Sequence, residues 1–292
     1  MISLGSLLRK AGLTEETYLK TSDKLVYYVF FPIMLFWKIG GSAQQETVAW
    51  SFLLAALLTL GLMFIISTAV IAFGPVTSFE AGSFSQSCYR FNTYIGVAVV
   101  LNSLGEQGIA LFGILIAIAI PLVNVFAVST LIWFSGDGSA LRNRSLIVAK
   151  AVVANPLIIG CLLGLIYGRM FSSFPVFIDN SLQLISIITL PLALVSIGGS
   201  LSFTGIQKHV RLSLLATLLK LLVLPVSGYI MFRLFQVSGT SFKVGMIFFC
   251  LPASTAIYVL SSQLKSDTEL ASSAILVSTL LSFISLSVAL LL

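Results

Sequence analysis

Charge is what this sequence has least of. Only 9% of its 292 residues are Asp, Glu, Lys or Arg, against about 25% in ordinary soluble domains. With a mean hydropathy of +1.08, that composition excludes a soluble globular domain and describes an integral membrane protein. Cysteine is scarce too. Cys88, Cys161 and Cys250 each lie in an apolar stretch with no paired spacing, so neither a disulfide framework nor a zinc site is indicated. The single histidine, His209, stands in a polar link beside Lys208 and Arg211 and is expected to be a solvated loop residue rather than a proton carrier. No Asp or Glu lies deep in an apolar run, and Asp179 only opens one, so a carboxylate proton relay or carboxylate sodium site is unsupported. Nothing assembles a nucleophile with a base and an orienting acid, and no metal or cofactor set is read, so the chain is not expected to be an enzyme. The formal net charge of +6 comes from bases scattered at the ends of apolar runs, which marks topology rather than nucleic-acid binding.

What is present is a succession of apolar runs. Residues 1 to 8 form a run too short to cross, closed by Arg9-Lys10; its bases follow the apolar part, the reverse of a signal peptide. It is expected to be the end of a truncated first span. A polar link with Glu15, Glu16, Lys20, Asp23 and Lys24 leads to a short run, 25 to 37, interrupted by Pro32. Runs at 48–73, 83–104 and 108–134 complete a first half, and a polar link at 135–145 separates it from runs at 146–170, 178–201, 210–235, 242–264 and 268–291.

The halves are related. Residues 32–42, from Pro32 to Gly40-Gly41-Ser42, read like residues 191–200, from Pro191 to Gly198-Gly199-Ser200. The same displacement, close to 159 residues, carries 48–73 onto 210–235 and Asn92 onto the neighbourhood of Pro252. An odd number of spans per half inverts the second half, so the expected architecture is an all-α membrane protein of two inverted five-helix repeats, 1–134 and 146–292. Counting bases in alternate loops sets Arg9, Lys10, Lys20, Lys24, Arg142, Arg144, Lys150, Lys208, Arg211 and Lys265 against Lys38, Arg169, Arg233 and Lys243. The richer side is expected in the cytoplasm.

The run at 83–104 carries a cation, an amide and a glycine where lipid tolerates none without cause: Arg90, Asn92, Thr93 and Gly96. Its partner under the repeat is Cys250-Leu-Pro252-Ala-Ser254-Thr255. Helix breakers beside small polar groups at equivalent depth point to a midplane binding site, with Asn92, Thr93, Gly96, Arg90, Pro252, Ser254 and Thr255 as its expected residues. Two readings stand for Arg90: snorkelling to the near interface, or contact with an anion. Lys220 lies about ten residues inside its run, where snorkelling is harder, and is an expected intramembrane charge, with a helix boundary placed elsewhere as the alternative. Net positive charge in the spans favours an anionic substrate.

Taken together, Phe31-Pro32, Arg90 through Gly96, Asn155-Pro156-Leu157-Ile158, Leu190 through Leu194 with Ile197 through Leu201, and Leu251-Pro252-Ala253 with Tyr258-Val259-Leu260 resemble the auxin efflux carrier family, in its bacterial branch. The matching pieces cover almost the whole chain. The resemblance implies ten helices in two inverted repeats, with the fourth and ninth broken and crossing near the substrate. The family's crossover proline falls on Pro252 and its asparagine on Asn92; many members have a proline after the fourth-helix glycine, where this chain has Gly96-Val97-Ala98. The function implied is secondary active transport of a small organic anion, such as a mono- or dicarboxylate, across the bacterial cytoplasmic (inner) membrane. Pro32 and Pro191 would serve as mirrored hinges. The coupling ion, proton or sodium, stays open, and a homodimer is compatible with this fold. A receptor or accessory subunit that binds the anion without flux is the alternative, and a channel is disfavoured by the mirrored breakers.

Overall fold

The computed structural model describes residues 1–42, 49–134, 154–171, 173–200, 206–263 and 266–292. The expected link at 135–145 and the start of the run at 146 lie outside the described residues. All regular structure among the described residues is helical. Among the described residues, six stretches are long and apolar enough to cross a membrane: Thr17–Gly41, Trp50–Phe73, Ser78–Thr130, Val176–Ser196, His209–Leu234 and Thr268–Leu291. Large apolar side chains such as Leu58, Ile65, Ile166, Leu222, Ile230 and Phe283 point outward, whereas Thr59, Ser67, Ser85, Ser273 and Ser278 are buried. That inside-out distribution suits a lipid solvent, in which small polar residues join helices to one another.

Helix boundaries follow local chemistry. We label the helices α1 (Ile2–Lys10), α2 (Glu16–Leu25), α3 (Phe31–Ser42), α4 (Trp50–Phe73), α5 (Ser78–Tyr89) and α6 (Thr93–Phe134) in the first half. In the second they are α7 (Pro156–Met170), α8 (Val176–Ser200), α9 (Ile206–Leu218), α10 (Leu224–Leu234), α11 (Gly239–Phe249), α12 (Ala256–Gln263) and α13 (Thr268–Leu291). A capping box starts α5, in which the Thr77 hydroxyl accepts from the Glu80 N–H and the Glu80 carboxylate accepts from the Thr77 N–H; this satisfies donors that have no intrahelical partner. At the start of α7, the Asn155 side chain accepts from Leu157 and Ile158, with Pro156 in the first turn where its missing N–H costs nothing. α6 is two helical stretches joined at Gly105, whose φ of 65° and ψ of −153° form a conformation open essentially only to glycine.

Two features differ from expectation. The polar stretch before residue 25 is not a link, because α2 runs through it from Glu16. Nor does Pro32 break its helix. A π turn, Val26–Phe30, joins α2 to α3 just ahead of Pro32, and a second, Leu219–Val223, joins α9 to α10 just ahead of Pro225. Proline removes one ladder bond and crowds the carbonyl four residues earlier. A turn widened to i→i+5 bonding relieves that conflict without ending the helix.

Contacts group the chain into two compact units. The first takes in Met1–Val48, Val97–Ile118 and Val152–Leu201; the second takes in Ala49–Gly96, Ala119–Ala151 and Ser202–Leu292. Each therefore draws on both halves of the sequence.

In the first unit α1 packs on α8, and α7 packs on α3. Both pairings rest on glycine. Gly5 lies against the backbone carbonyl of Val195, and Gly164 against that of Phe36, and the two pairs are displaced from one another by 159 residues, the offset read in the sequence. Trp37 Nε1 donates to Asp179 (2.7 Å) and Lys38 pairs with Glu106 (2.6 Å), both within this unit.

In the second unit α4 packs on α10 and α5, and α9 packs on α13. An aromatic core of Phe52, Phe232, Phe248 and Phe249 adjoins a polar seam in which Ser85 meets Ser67 (3.3 Å), Tyr89 (3.3 Å) and Thr130 (3.2 Å).

Candidate functional site

The second unit contains two interrupted helices. α5 stops at Tyr89 and α6 starts at Thr93, leaving Arg90, Phe91 and Asn92 non-helical; α11 stops at Phe249 and α12 starts at Ala256, leaving residues 250–255 non-helical. Each interruption exposes backbone donors and acceptors that the helix would have paired, and lipid offers no water to replace them.

The pairing of these groups shows how the breaks are held. The Asn92 N–H donates to the Pro252 carbonyl at 2.9 Å, so the two breaks bond directly to each other. The side chains of Phe91 and Phe248 pack beside that bond with centroids 4.4 Å apart. Asn92 Oδ1 caps α6 by accepting from Tyr94 (3.1 Å) and Ile95 (3.2 Å). Beside the second break, α13 supplies two hydroxyls. Ser278 Oγ accepts from the Ala253 N–H (3.1 Å), and the Ser285 hydroxyl donates to the Cys250 carbonyl (2.9 Å). Ser254 Oγ accepts from the Ala256 N–H at 3.3 Å, a local turn bond at the start of α12.

One group at the breaks stays unmatched. Asn92 is 2% exposed, its amide oxygen is committed to the α6 cap, and its Nδ2 has no hydrogen-bond partner among the described residues. The cap fixes which end of the amide is which. What remains is a buried two-proton donor at the meeting point of the breaks, and a buried donor without an acceptor is costly to keep.

Two cations stand close by. The half-buried Arg90 donates from Nη1 to Gln86 Oε1 (2.9 Å) and from Nη2 to Asn124 Oδ1 (2.8 Å). The guanidinium thus bonds to protein groups of α5 and α6. Lys220 is 1% exposed and sits in the second π turn, which packs on α5. Cys88 and Cys250, one beside each break, lie within electrostatic range of its amine.

Of the residues expected from sequence, Asn92, Pro252, Arg90 and Ser254 lie at or in the breaks, and Thr93 is the first helical residue after one. Gly96 is not at the break as expected. It lies inside α6, its N–H bonded to the Asn92 carbonyl, because the Asn92 cap restarts the helix earlier. Thr255 is the last residue before α12. Pro32 and Pro191 belong to the first unit. Sequence reading missed Gln86, Asn124, Ser278 and Ser285. Their signal was available: single polar residues inside apolar runs, two of them seven apart on one face of α13.

His209 was also misread. It is 4% exposed, at the start of α9, and faces three carboxylates: Glu80 (Nδ1 to Oε1, 3.8 Å), Asp267 (Nε2 to Oδ2, 3.6 Å) and Glu269 (Nε2 to Oε2, 3.6 Å). Charge on its sequence neighbours suggested solvent, but helix starts far apart in sequence close over it.

Comparison with known proteins agrees with this picture at the level of class. The sequence profile of a family described as "Membrane transport protein" matches residues 1–290. An uncharacterized transporter of Methanocaldococcus jannaschii is similar, 23% identical over 290 residues that make up 97% of this chain and 92% of that protein.

Proposed function

This chain belongs to the membrane transport protein family, the auxin efflux carriers, and from that premise we propose that it is a secondary carrier of a small organic anion. Being a multi-pass membrane transporter follows from the family and the apolar helices; the substrate class and the mechanism are our own reading. The observation that carries it is the unmatched Asn92 Nδ2, a buried donor that calls for an acceptor. Arg90 and Lys220 add positive charge nearby, and the first turn of α6 adds the partial positive charge of a helix N-terminus. A carboxylate is the simplest ligand that answers all of these, with Thr93, Ser254 and Thr255 as further polar contacts around the breaks.

Transport would proceed by alternating access around the interrupted helices. Inverted repeats are proposed on three supports: the 159-residue displacement in sequence, the equal displacement of the Gly5–Val195 and Gly164–Phe36 contacts, and one interrupted helix in each half. Pro32 and Pro191 would then be paired bending points. The base-rich loops would face the cytoplasm, and the membrane would be the cytoplasmic one.

Counterflow in proteoliposomes tests the reading. Vesicles preloaded with an unlabelled mono- or dicarboxylate should accumulate the labelled compound transiently and saturably. Binding without flux would replace the carrier by a receptor, and non-saturable flux would replace it by a channel. A response confined to cations or neutral compounds would sink the anion assignment.

A further inference from the structure

Away from the breaks, the second unit holds a cluster that the transport reading does not use. One carboxylate oxygen each from Glu80 and Asp267 and one ring nitrogen of His209 lie within 4.8 Å of one another. They come from the first turn of α5, the first turn of α9 and the residue capping α13. Glu269, 58% exposed at its side chain, stands at the surface side of the cluster.

Both buried carboxylates are aimed by their helices. Glu80 gives Oε2 to the capping box, accepting from the Thr77 N–H (2.9 Å) and hydroxyl (2.7 Å), which turns Oε1 toward the imidazole. Asp267 gives Oδ1 to the N–H groups of Glu269 and Leu270 (both 2.9 Å), which turns Oδ2 toward the imidazole. Yet neither oxygen reaches hydrogen-bonding distance of the ring. His209 Nε2 is buried and has no hydrogen-bond partner among the described residues.

A separation of 3.6 Å from Nε2 to Asp267 Oδ2 and to Glu269 Oε2 is too long for an N–H···O bond. It is the separation of two ligands that share one ion, since arms of about 2.1 Å meeting at a near-tetrahedral angle end roughly 3.5 Å apart. We propose that this cluster is a binding site for a first-row divalent metal ion, with His209 Nε2 and Asp267 Oδ2 as its buried ligands and Glu269 Oε2, also 3.6 Å from Nε2, on the solvent side. Glu80 faces the other ring nitrogen and takes the place of the carboxylate that orients a metal-bound histidine. An imidazole among the ligands favours Zn²⁺ over Mg²⁺. The ion would tie the starts of α5, α9 and α13 together, and the exposed Glu269 gives it an entry.

The test uses the full chain, untagged, in detergent, with ZnCl₂ as the probe and MgCl₂ as the control. Because the chain has a single histidine, His209→Gln removes every imidazole. Asp267→Asn and Glu80→Gln keep helix-capping side chains while removing charge, so folding survives. Zinc should raise the apparent melting temperature of the wild type saturably and reversibly with EDTA, and magnesium should not. The shift should vanish in His209→Gln and Asp267→Asn, and the zinc affinity should fall about 10- to 100-fold in Glu80→Gln. No zinc-dependent shift in the wild type, or an undiminished shift in His209→Gln, overturns the proposal. So does a melting temperature that follows pH alone and ignores metal, which would make the imidazole a protonated ion-pair partner instead.

Discussion

Replacing Asn92 by aspartate separates the two jobs its side chain performs. The amide oxygen caps α6 through Tyr94 and Ile95, and the amide nitrogen is the unmatched donor. Aspartate caps about as well as asparagine, so Asn92→Asp should melt within a few degrees of wild type. Its second oxygen, however, turns a donor into an anionic acceptor. A hydrogen bond to a charged ligand contributes about 1.5–3 kcal/mol, which at about 1.4 kcal/mol per factor of ten amounts to a roughly 10- to 150-fold loss of affinity. Repulsion between two carboxylates adds to that. Asn92→Ala should lose the same ligand bond and the cap as well, costing about 1 kcal/mol of folding stability. Detergent melts and carboxylate counterflow in proteoliposomes, run on both variants, read the two effects apart. Wild-type transport by Asn92→Asp would refute the donor role, and equal destabilisation by Asp and Ala would refute the capping role.

Lys220→Met keeps the length of the side chain and removes its charge. Replacing a buried charge with an apolar group is often neutral or stabilising, so the protein should melt no lower than wild type while anion counterflow falls at least about tenfold, the size of one charged contact. Wild-type flux would take Lys220 off the anion path. Gly5→Leu and Gly164→Leu should each lower the melting temperature in detergent, because overpacking a close helix contact costs about 1–3 kcal/mol, whereas Gly61, with open space around it, should accept Leu. A tolerated Leu at either of the first two positions would undo the paired helix contacts.

The interrupted helices were legible in the sequence because their cause is local. Asn92 and Pro252 are residues that stop or start helices, and they stand in runs otherwise rich in helix formers. Membrane class was legible from composition alone. The π turns were not, since Pro32 and Pro225 announce only a disturbance and the helix chooses how to absorb it. His209 was misjudged because burial is tertiary. Its neighbours Lys208 and Arg211 gave the only local signal, while Glu80 and Asp267 arrive from helix starts more than 50 residues away in either direction. Asn124 was overlooked because a lone amide in an apolar run has no partner in sequence, and only the fold brings Arg90 to it.

The π turn beneath Lys220 also fixes the phase of a helix. One extra residue in a turn rotates everything on one side of it by about 100° relative to the other, since an α-helix advances 3.6 residues per turn. Deleting one residue from Leu221 to Val223 would leave a continuous helix with its composition almost intact, yet it would swing either Lys220 or the whole of α10 to a different face. A one-residue gap falling here, when this chain is aligned with a relative, therefore changes which side chains look inward, whereas a gap in the loop after α10 changes almost nothing. In such relatives the presence of a lysine at the aligned position says little by itself; the length of the turn decides where it points.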